Sequence, residues 1–208
     1  MRAEVPGRAV RPREGLPLSP VAPIPFNVVV GIWVLLELRV RLRSSLNRHG
    51  VRLERGSLLV VVGTIYGGVA GGFLLAGKVP AAAIHEARWP LFVVGMLLMC
   101  AGIAIRQWAV ALLGGLFTVD VRVHPGQAVV ERGPYRWVRH PSYTGLILTF
   151  VGIGLALGNW AALAVLAVVP TAGLVARIRF EERALLDGLG EPYRRFAATR
   201  PHLFPHVW

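Results

Sequence analysis

Three long stretches of the chain carry no charged residue, and they predict membrane-spanning helices. Residues 57–77, 89–105 and 144–176 contain no Asp, Glu, Lys or Arg. A helix needs roughly 20 apolar residues to cross the hydrocarbon core of a bilayer. The first two stretches therefore predict one span each, whereas the third is longer than one span requires.

A turn in the middle of the third stretch divides it into two helices. Gly158-Asn159 is a typical turn sequence, and Trp160 directly after it is typical of a membrane interface. We therefore predict a hairpin of two short spans, over 144–158 and 160–176.

An earlier apolar segment, residues 24–40, predicts a first helix and brings the number of spans to five. Within it Glu37 can pair with Arg41, one turn later and near the membrane edge. The expected fold class is all-α, a polytopic integral membrane protein with about five transmembrane helices. Residues 1–20, rich in Pro and Arg, predict a disordered tail, and residues 21–105 hold the first three spans.

Basic residues are distributed unequally between the two sides of the predicted membrane. The loop 39–55 has six arginines, the segment 106–143 has five and the chain from residue 177 has six, so one side has 17 basic residues and the other has six. Because basic loops stay in the cytosol, we expect the N-terminus outside and the C-terminus inside. Lys78 is the only lysine against 22 arginines, which indicates a GC-rich bacterial genome and hence the inner membrane.

The formal net charge of +12 does not by itself indicate a nucleic-acid-binding protein. No basic stripe interleaved with aromatic residues lies outside the membrane-flanking loops, so the bilayer with its anionic lipids is the expected partner. Cys100 is the only cysteine, which excludes a disulfide within the chain and a thiolate metal cluster. No metal is expected, because the loop histidines lack ligand spacing: His49, His85 and His124.

Two further sets of residues are assigned to the membrane rather than to chemistry. Small residues four apart form packing surfaces between transmembrane helices, and the stretch 57–77 has five glycines in such positions: Gly63, Gly67, Gly68, Gly71 and Gly72. Tryptophans are typical of the membrane interface, and that position is expected for Trp33, Trp89 and Trp160.

Polar residues suited to chemistry lie in two segments next to the membrane. In the first, 106–145, Pro134 and Pro141 both forbid a continuous helix, and Pro141 suits the first turn of the fourth span, so His140 lies just before that helix. The second, 177–200, predicts a helix that leaves the membrane. In it Arg177 and Glu181 share a face, which suits a binding site. A solvated, salt-bridged helix explains the same pattern equally well.

The motifs in these two segments are similar to those of a known family. Residues 133–145 read GPYRWVRHPSYTG, the apolar hairpin follows, and Glu181-Glu182-x-x-Leu185 precedes Gly190-x-x-Tyr193. From about Arg106 to Arg200 the chain resembles the isoprenylcysteine carboxyl methyltransferase family and the wider group of membrane phospholipid methyltransferases. This resemblance covers nearly half of the chain, and the first two spans carry no motif.

The resemblance implies a catalytic region over 106–208 that binds S-adenosylmethionine at the cytosolic face, with a C-terminal cytosolic helix that closes the cofactor pocket. It implies cofactor-binding roles for Tyr135, Arg139, His140, Tyr143, Glu181, Glu182 and Tyr193. Arg106 and Arg177 match arginines that orient the acceptor carboxylate in the carboxyl methyltransferases. Structural ion pairing, such as Arg177 with Glu181, is the alternative for these two arginines.

The function expected from the resemblance is S-adenosylmethionine-dependent methyl transfer to a lipophilic small molecule that enters from the bilayer. The acceptor group stays open among a carboxylate, an amine and a thiol. Two other functions are also open. One is an NADPH-dependent sterol-type membrane reductase, which shares a related C-terminal pattern, and the other is a non-enzymatic membrane protein that binds lipid.

Overall fold

The computed structural model describes residues 23–46, 51–52, 57–117, 122–123 and 128–205. Within these residues the chain forms α1 (Pro23–Leu46), α2 (Ser57–Lys78), α3 (Arg88–Leu113), α4 (Pro141–Leu157), α5 (Trp160–Leu189) and α6 (Glu191–Ala198). Two-residue strands, β1 (Val51–Arg52) and β2 (Arg122–Val123), pair antiparallel. The prediction of an all-α fold is confirmed, and the predicted tail 1–20 lies outside the described residues.

The predicted hairpin turn lies between α4 and α5. Gly158 ends α4 with φ of 64°, a left-handed conformation that suits glycine. The side chain of Asn159 caps α5 by accepting a hydrogen bond from the Ala162 backbone N–H, 3.0 Å away. The turn residues therefore both stop one helix and start the next.

The last long helix combines the predicted fifth span, 160–176, with the first part of the segment predicted to leave the membrane as a helix. α5 is one helix of 30 residues, Trp160–Leu189. No proline follows Pro170 in α5, and Arg, Glu, Ala and Leu residues favour helix beyond the last apolar turn. The helix ends only where Gly190 takes φ of 63°, so α6 is the separate C-terminal helix.

The described helices have the character of an integral membrane protein. Three of them, α2, α3 and α5, are long and apolar enough to cross a bilayer. α4 has 17 residues, and α1 is long enough but carries charged residues in its second half, so five spans stay a prediction. Large apolar side chains such as Leu59, Leu97 and Val168 are exposed on the outer surface, where a bilayer would cover them.

Glycines let the long helices approach at backbone distance. A Cβ on Gly102 of α3 would lie 2.5 Å from the carbonyl oxygen of Gly145 on α4. On α2 the predicted packing surface is confirmed in part: Gly68 faces Pro170 and Gly72 faces Leu166 of α5, whereas Gly63 and Gly67 have no atom within 4 Å of such a Cβ. Close glycine contacts of this kind are typical of membrane helix pairs.

The direction of α4 and α5 explains where the two motif segments meet. The α4–α5 turn lies beside the α2–α3 connection, because the Ile84 backbone N–H donates to the Gly158 carbonyl at 2.8 Å and Asn159 Nδ2 donates to the Val79 carbonyl at 2.9 Å. The start of α4 and the end of α5 are therefore both at the opposite end of the bundle. That end holds the polar residues of both motifs.

Candidate functional site

The segment before α4 folds back tightly against α3. Gly133 begins a 3₁₀ turn, Gly133–Arg136, with φ of 61°, and a Cβ there would lie 2.2 Å from the side chain of Leu112. Pro141 occupies the first turn of α4, and His140 takes the N-cap position with φ of −122°. Both expectations for Pro141 and His140 are confirmed.

The chain beyond α6 is tied to this segment by main-chain hydrogen bonds, which sequence reasoning missed. The backbone N–H groups of Arg139 and His140 donate to the carbonyls of Pro201 and His202, each at 2.9 Å. The Thr144 hydroxyl donates to the Leu203 carbonyl at 2.6 Å. No pattern in residues 201–205 signals this pairing, because it depends on backbone groups that every residue has.

Glu182 of α5 joins three of the predicted site residues. Its Oε1 accepts hydrogen bonds from the Tyr193 hydroxyl at 2.7 Å and lies 2.6 Å from His140 Nε2. Its Oε2 accepts from Arg139. Glu182 is buried with 8 % of its surface exposed, and these three partners use both of its oxygens, so its carboxylate orients neighbouring side chains.

The preceding carboxylate, Glu181, has a different environment. It is only partly buried, and its Oε2 accepts a hydrogen bond from the Tyr143 hydroxyl at 2.6 Å. The Tyr143 ring stacks parallel to the His140 ring, with centroids 5.6 Å apart, and His140 is likewise parallel to His202 at 6.3 Å. The rings of Tyr143, His140 and His202 therefore form one layer of parallel rings, and Glu181 contacts this layer through the Tyr143 hydroxyl.

Burial sets the proton affinities of the aromatic groups outside the membrane helices. Burial, and next the negative charge of Glu182, raises the pKa of Tyr193 well above its usual range. Burial, with Glu181 as the next cause, likewise raises the pKa of Tyr135. Burial and the nearby Arg139 cation lower the pKa of His202. Both tyrosines are therefore neutral hydrogen-bond donors at neutral pH.

A cavity of about 450 Å³ lies against this layer, within the size range of small-molecule sites. The part of it next to the motif segments, here called the polar half, contains eight of the nine residues predicted for the site, together with apolar residues such as Leu113, Leu185 and Phe196. The eight are Arg106, Tyr135, Arg139, His140, Tyr143, Arg177, Glu181 and Tyr193. Glu182 is the exception, since it does not line the cavity. The two adjacent carboxylates therefore differ in position, and only Glu181 faces the space a ligand would occupy.

The other end of the cavity, here called the apolar half, is built from the transmembrane helices. Its wall consists of aliphatic and aromatic side chains from α1, α2, α4 and α5: Trp33, Val34, Leu38, Val61, Val62, Ile65, Val69, Leu146, Phe150 and Leu174. The predicted interfacial position of Trp33 is wrong. Its ring packs edge-on against Phe150, with centroids 5.8 Å apart, and is 8 % exposed.

The first helix contributes a charged residue that sequence reasoning paired incorrectly. Glu37 pairs with Arg106 of α3 instead of with Arg41 on its own helix. Arg106 is buried, 7 % exposed, and a buried guanidinium needs a counter-charge more than an exposed one does. Arg41 instead lies over the Tyr66 ring, 5.4 Å from its centroid. Among the described residues, no group of three His, Cys, Asp or Glu side chains is placed to hold a metal ion.

Comparison with known proteins finds the same resemblance as the motifs. Residues 93–187 match the model of the isoprenylcysteine carboxyl methyltransferase (ICMT) family. The chain is 25% identical to the protein-S-isoprenylcysteine O-methyltransferase of Schizosaccharomyces pombe over 199 residues, which cover 88% of this chain and 83% of that protein. It is 32% identical to the uncharacterized protein YpbQ of Bacillus subtilis over 83 residues, 40% of this chain and 49% of that one.

A solved structure shares the fold. The eukaryotic intramembrane Ras methyltransferase ICMT superposes with a TM-score of 0.65 at 20% sequence identity, covering 91% of this chain and 69% of that one. The resemblance read from the motifs is thus confirmed over residues 93–187, and the membrane fold over most of the chain. The match to YpbQ spans only about half of that relative.

Proposed function

We propose, from the match to the ICMT family and from the two-ended cavity, that this protein is a membrane methyltransferase that uses S-adenosylmethionine and acts on a lipophilic acceptor. The observation that carries the proposal is that one cavity joins the motif residues to an apolar chamber between transmembrane helices. A soluble cofactor and a membrane-derived acceptor would meet where the two halves join. Such a site needs no separate nucleotide-binding domain.

The residues of the polar half fit the cofactor. S-adenosylmethionine carries a positive amino group, a carboxylate, a ribose diol and an adenine ring. Glu181 offers a carboxylate to a cation or to hydroxyls, and the aromatic rings of Tyr135, Tyr143 and Tyr193 offer surfaces for a planar base. When bound, the cofactor supplies a methyl group on a sulfonium that a nucleophile can displace directly.

The contribution of the protein to such a displacement is positioning and exclusion of water. Glu182 fixes His140, Arg139 and Tyr193 by hydrogen bonds to one carboxylate, so the cofactor wall is ordered before a ligand binds. Arg106 and Arg177, both buried, line the cavity near the junction of its halves. Their proposed role is to orient the acceptor, and no side chain has to form a covalent bond.

Orientation in the membrane is part of the proposal. The site end of the bundle is adjacent to the arginine-rich segments, whereas Lys78 and Arg88 lie at the other end, which supports a cytosolic site and an external N-terminus. A reporter enzyme fused to the C-terminus, active only in the cytosol, should be active. Activity of a reporter that works only outside the membrane would contradict this orientation.

Calorimetry on the purified protein tests the cofactor assignment. The wild type should bind S-adenosylmethionine, and Glu181→Gln and His140→Ala should each weaken binding by about tenfold or more, because each loses a polar group on the cavity wall. Glu191→Gln on α6, whose exposed carboxylate pairs only with exposed arginines, is the matched control. Unchanged affinity in both site variants would refute the site, and binding of NADPH instead would favour the reductase alternative.

Identification of the acceptor requires a separate experiment. Membranes that contain the protein are incubated with methyl-labelled S-adenosylmethionine, and the labelled lipid fraction is analysed by mass spectrometry. The apolar half predicts a product with a long hydrocarbon portion. Label found only in water-soluble products would contradict a lipophilic acceptor.

A further inference from the structure

Arg106, proposed to orient the acceptor, has one of its two bidentate hydrogen-bonding edges occupied by the protein itself. The Glu37 carboxylate accepts from Arg106 Nε and Nη2, with 2.7 Å between Nη2 and Oε2. On the other side of the guanidinium, Nη1 donates to the Ser142 hydroxyl at 2.7 Å. All three nitrogens of Arg106 are therefore engaged.

The geometry of this pair is the one an external carboxylate would adopt. A guanidinium offers two parallel N–H groups on one edge, and a carboxylate accepts both with its two oxygens. Glu37 already fills that edge of Arg106. A second carboxylate has only the Nη1/Nη2 edge left, where Ser142 already accepts from Nη1 and where the negative charge of Glu37 opposes it.

The pair also lies where the head of a lipophilic ligand would be placed. Glu37, Arg106 and Ser142 all line the cavity. Trp33, one helical turn before Glu37, belongs to the apolar half, and Tyr143, next to Ser142, belongs to the polar half. The pair is thus at the junction between the two halves.

We propose that Glu37 is a specificity-determining residue that competes with an anionic acceptor for Arg106. This inference rests on the proposed function and narrows its acceptor class. An acceptor carboxylate can gain the Nε/Nη2 edge of Arg106 only by displacing Glu37, whose charge would then be partly buried without a partner unless it turns toward Arg41, four residues later and on the same cavity wall. Acceptors whose reacting head is uncharged avoid that cost, so the wild-type site favours them over carboxylates.

Equilibrium binding to matched ligands tests the inference without requiring turnover. Two tritiated pairs are used with protein in phosphatidylcholine nanodiscs: an isoprenylated cysteine as free acid and as carboxamide, and hexadecanoic acid and its amide. Glu37→Gln should increase affinity for the acids by about tenfold or more, because hydrogen bonds to charged groups are the strong ones, and should change affinity for the amides by less than about twofold. Glu86→Gln, which removes an exposed carboxylate outside the site, should change neither.

A double-mutant cycle separates direct competition from a general change of charge. In an Arg106→Gln background, the gain from Glu37→Gln should disappear, because the contested edge no longer exists. The inference is overturned if the gain in acid affinity persists in the Arg106→Gln background, or if acids and amides gain equally. It is also overturned if the acids gain no affinity, which includes the case in which they bind neither the wild type nor Glu37→Gln. Binding of S-adenosylmethionine by the wild type is measured separately and tests the proposed function. If the wild type does not bind S-adenosylmethionine, the comparison of acids with amides still tests the role of Glu37.

Discussion

Changing each of two adjacent glutamates on α5 to glutamine should have different effects on stability and cofactor binding. Glu182 accepts hydrogen bonds from Arg139, His140 and Tyr193 and does not line the cavity, whereas Glu181 lines it and bonds to Tyr143. Glutamine keeps the shape of the side chain but replaces one charged oxygen by a donor. The comparison therefore isolates charge and acceptor capacity at two neighbouring positions.

The larger loss of stability is expected for Glu182→Gln. The variant leaves the partly buried Arg139 cation without its carboxylate and turns an NH₂ group toward one of three donors. Breaking a buried pair by removing one partner costs about 3–5 kcal/mol, and the amide oxygen retained by glutamine reduces this to about 3 kcal/mol. Glu181→Gln keeps a hydrogen-bond acceptor for Tyr143 at a half-buried position, so the expected loss of folding stability is below about 1 kcal/mol.

Thermal and denaturant unfolding in one detergent, together with calorimetric cofactor binding, distinguish the two roles. We expect Glu181→Gln to bind S-adenosylmethionine poorly while it unfolds like the wild type, and Glu182→Gln to unfold earlier as well as bind poorly. Glu191→Gln serves as control in both assays. Equal stability of the Glu181 and Glu182 variants, or a greater loss for Glu181→Gln, would refute the division of roles.

Two further changes test packing and protonation. Gly102→Ala should destabilise the folded protein by about 1–3 kcal/mol, because its Cβ would lie 2.5 Å from the Gly145 carbonyl oxygen. Gly77→Ala is the control, because no atom lies within 4 Å of its Cβ. Equal unfolding midpoints of the two variants would contradict the close contact. The lowered pKa of His202 means that the unfolded chain binds more protons below about pH 6.5, so stability should fall as the pH falls through that region. His202→Gln should reduce this acid-side loss, measured as unfolding midpoint against pH, and an unchanged slope would show that other groups cause it.

Local features of the fold could be predicted because their causes are local. The α4–α5 turn follows from Gly158 and Asn159, and the start of α4 follows from Pro141. The end of α5 could not be predicted from the apolar stretch, because such a stretch marks where the bilayer is crossed and not where a helix stops. The helix formers after residue 176 continue α5 to Leu189.

The site could be predicted as a set of residues but not as an arrangement. Glu181 and Glu182 are adjacent in the sequence, and which one faces the cavity depends on the rotation of α5 against α4, which no local pattern specifies. The Glu37–Arg106 pair joins residues 69 positions apart, so local i,i+4 spacing favoured Arg41 instead. The backbone pairing of residues 201–203 with the motif likewise arises from tertiary packing alone.

Charged and apolar side chains alternate along the cavity wall on three separate helices. Along α4 the wall runs from His140 and Tyr143 to Phe150, and along the antiparallel α5 it runs from Leu174 through Arg177 and Glu181 to Leu185. α1 adds the apolar Trp33 and then, one turn later, Glu37. Because the cavity wall joins charged side chains to apolar ones from the membrane helices, a ligand that fills the cavity is expected to be amphipathic. An amphipathic ligand of this kind agrees with the proposed lipophilic acceptor, and the expectation rests on the apolar lining of the transmembrane helices as well as on the motif residues.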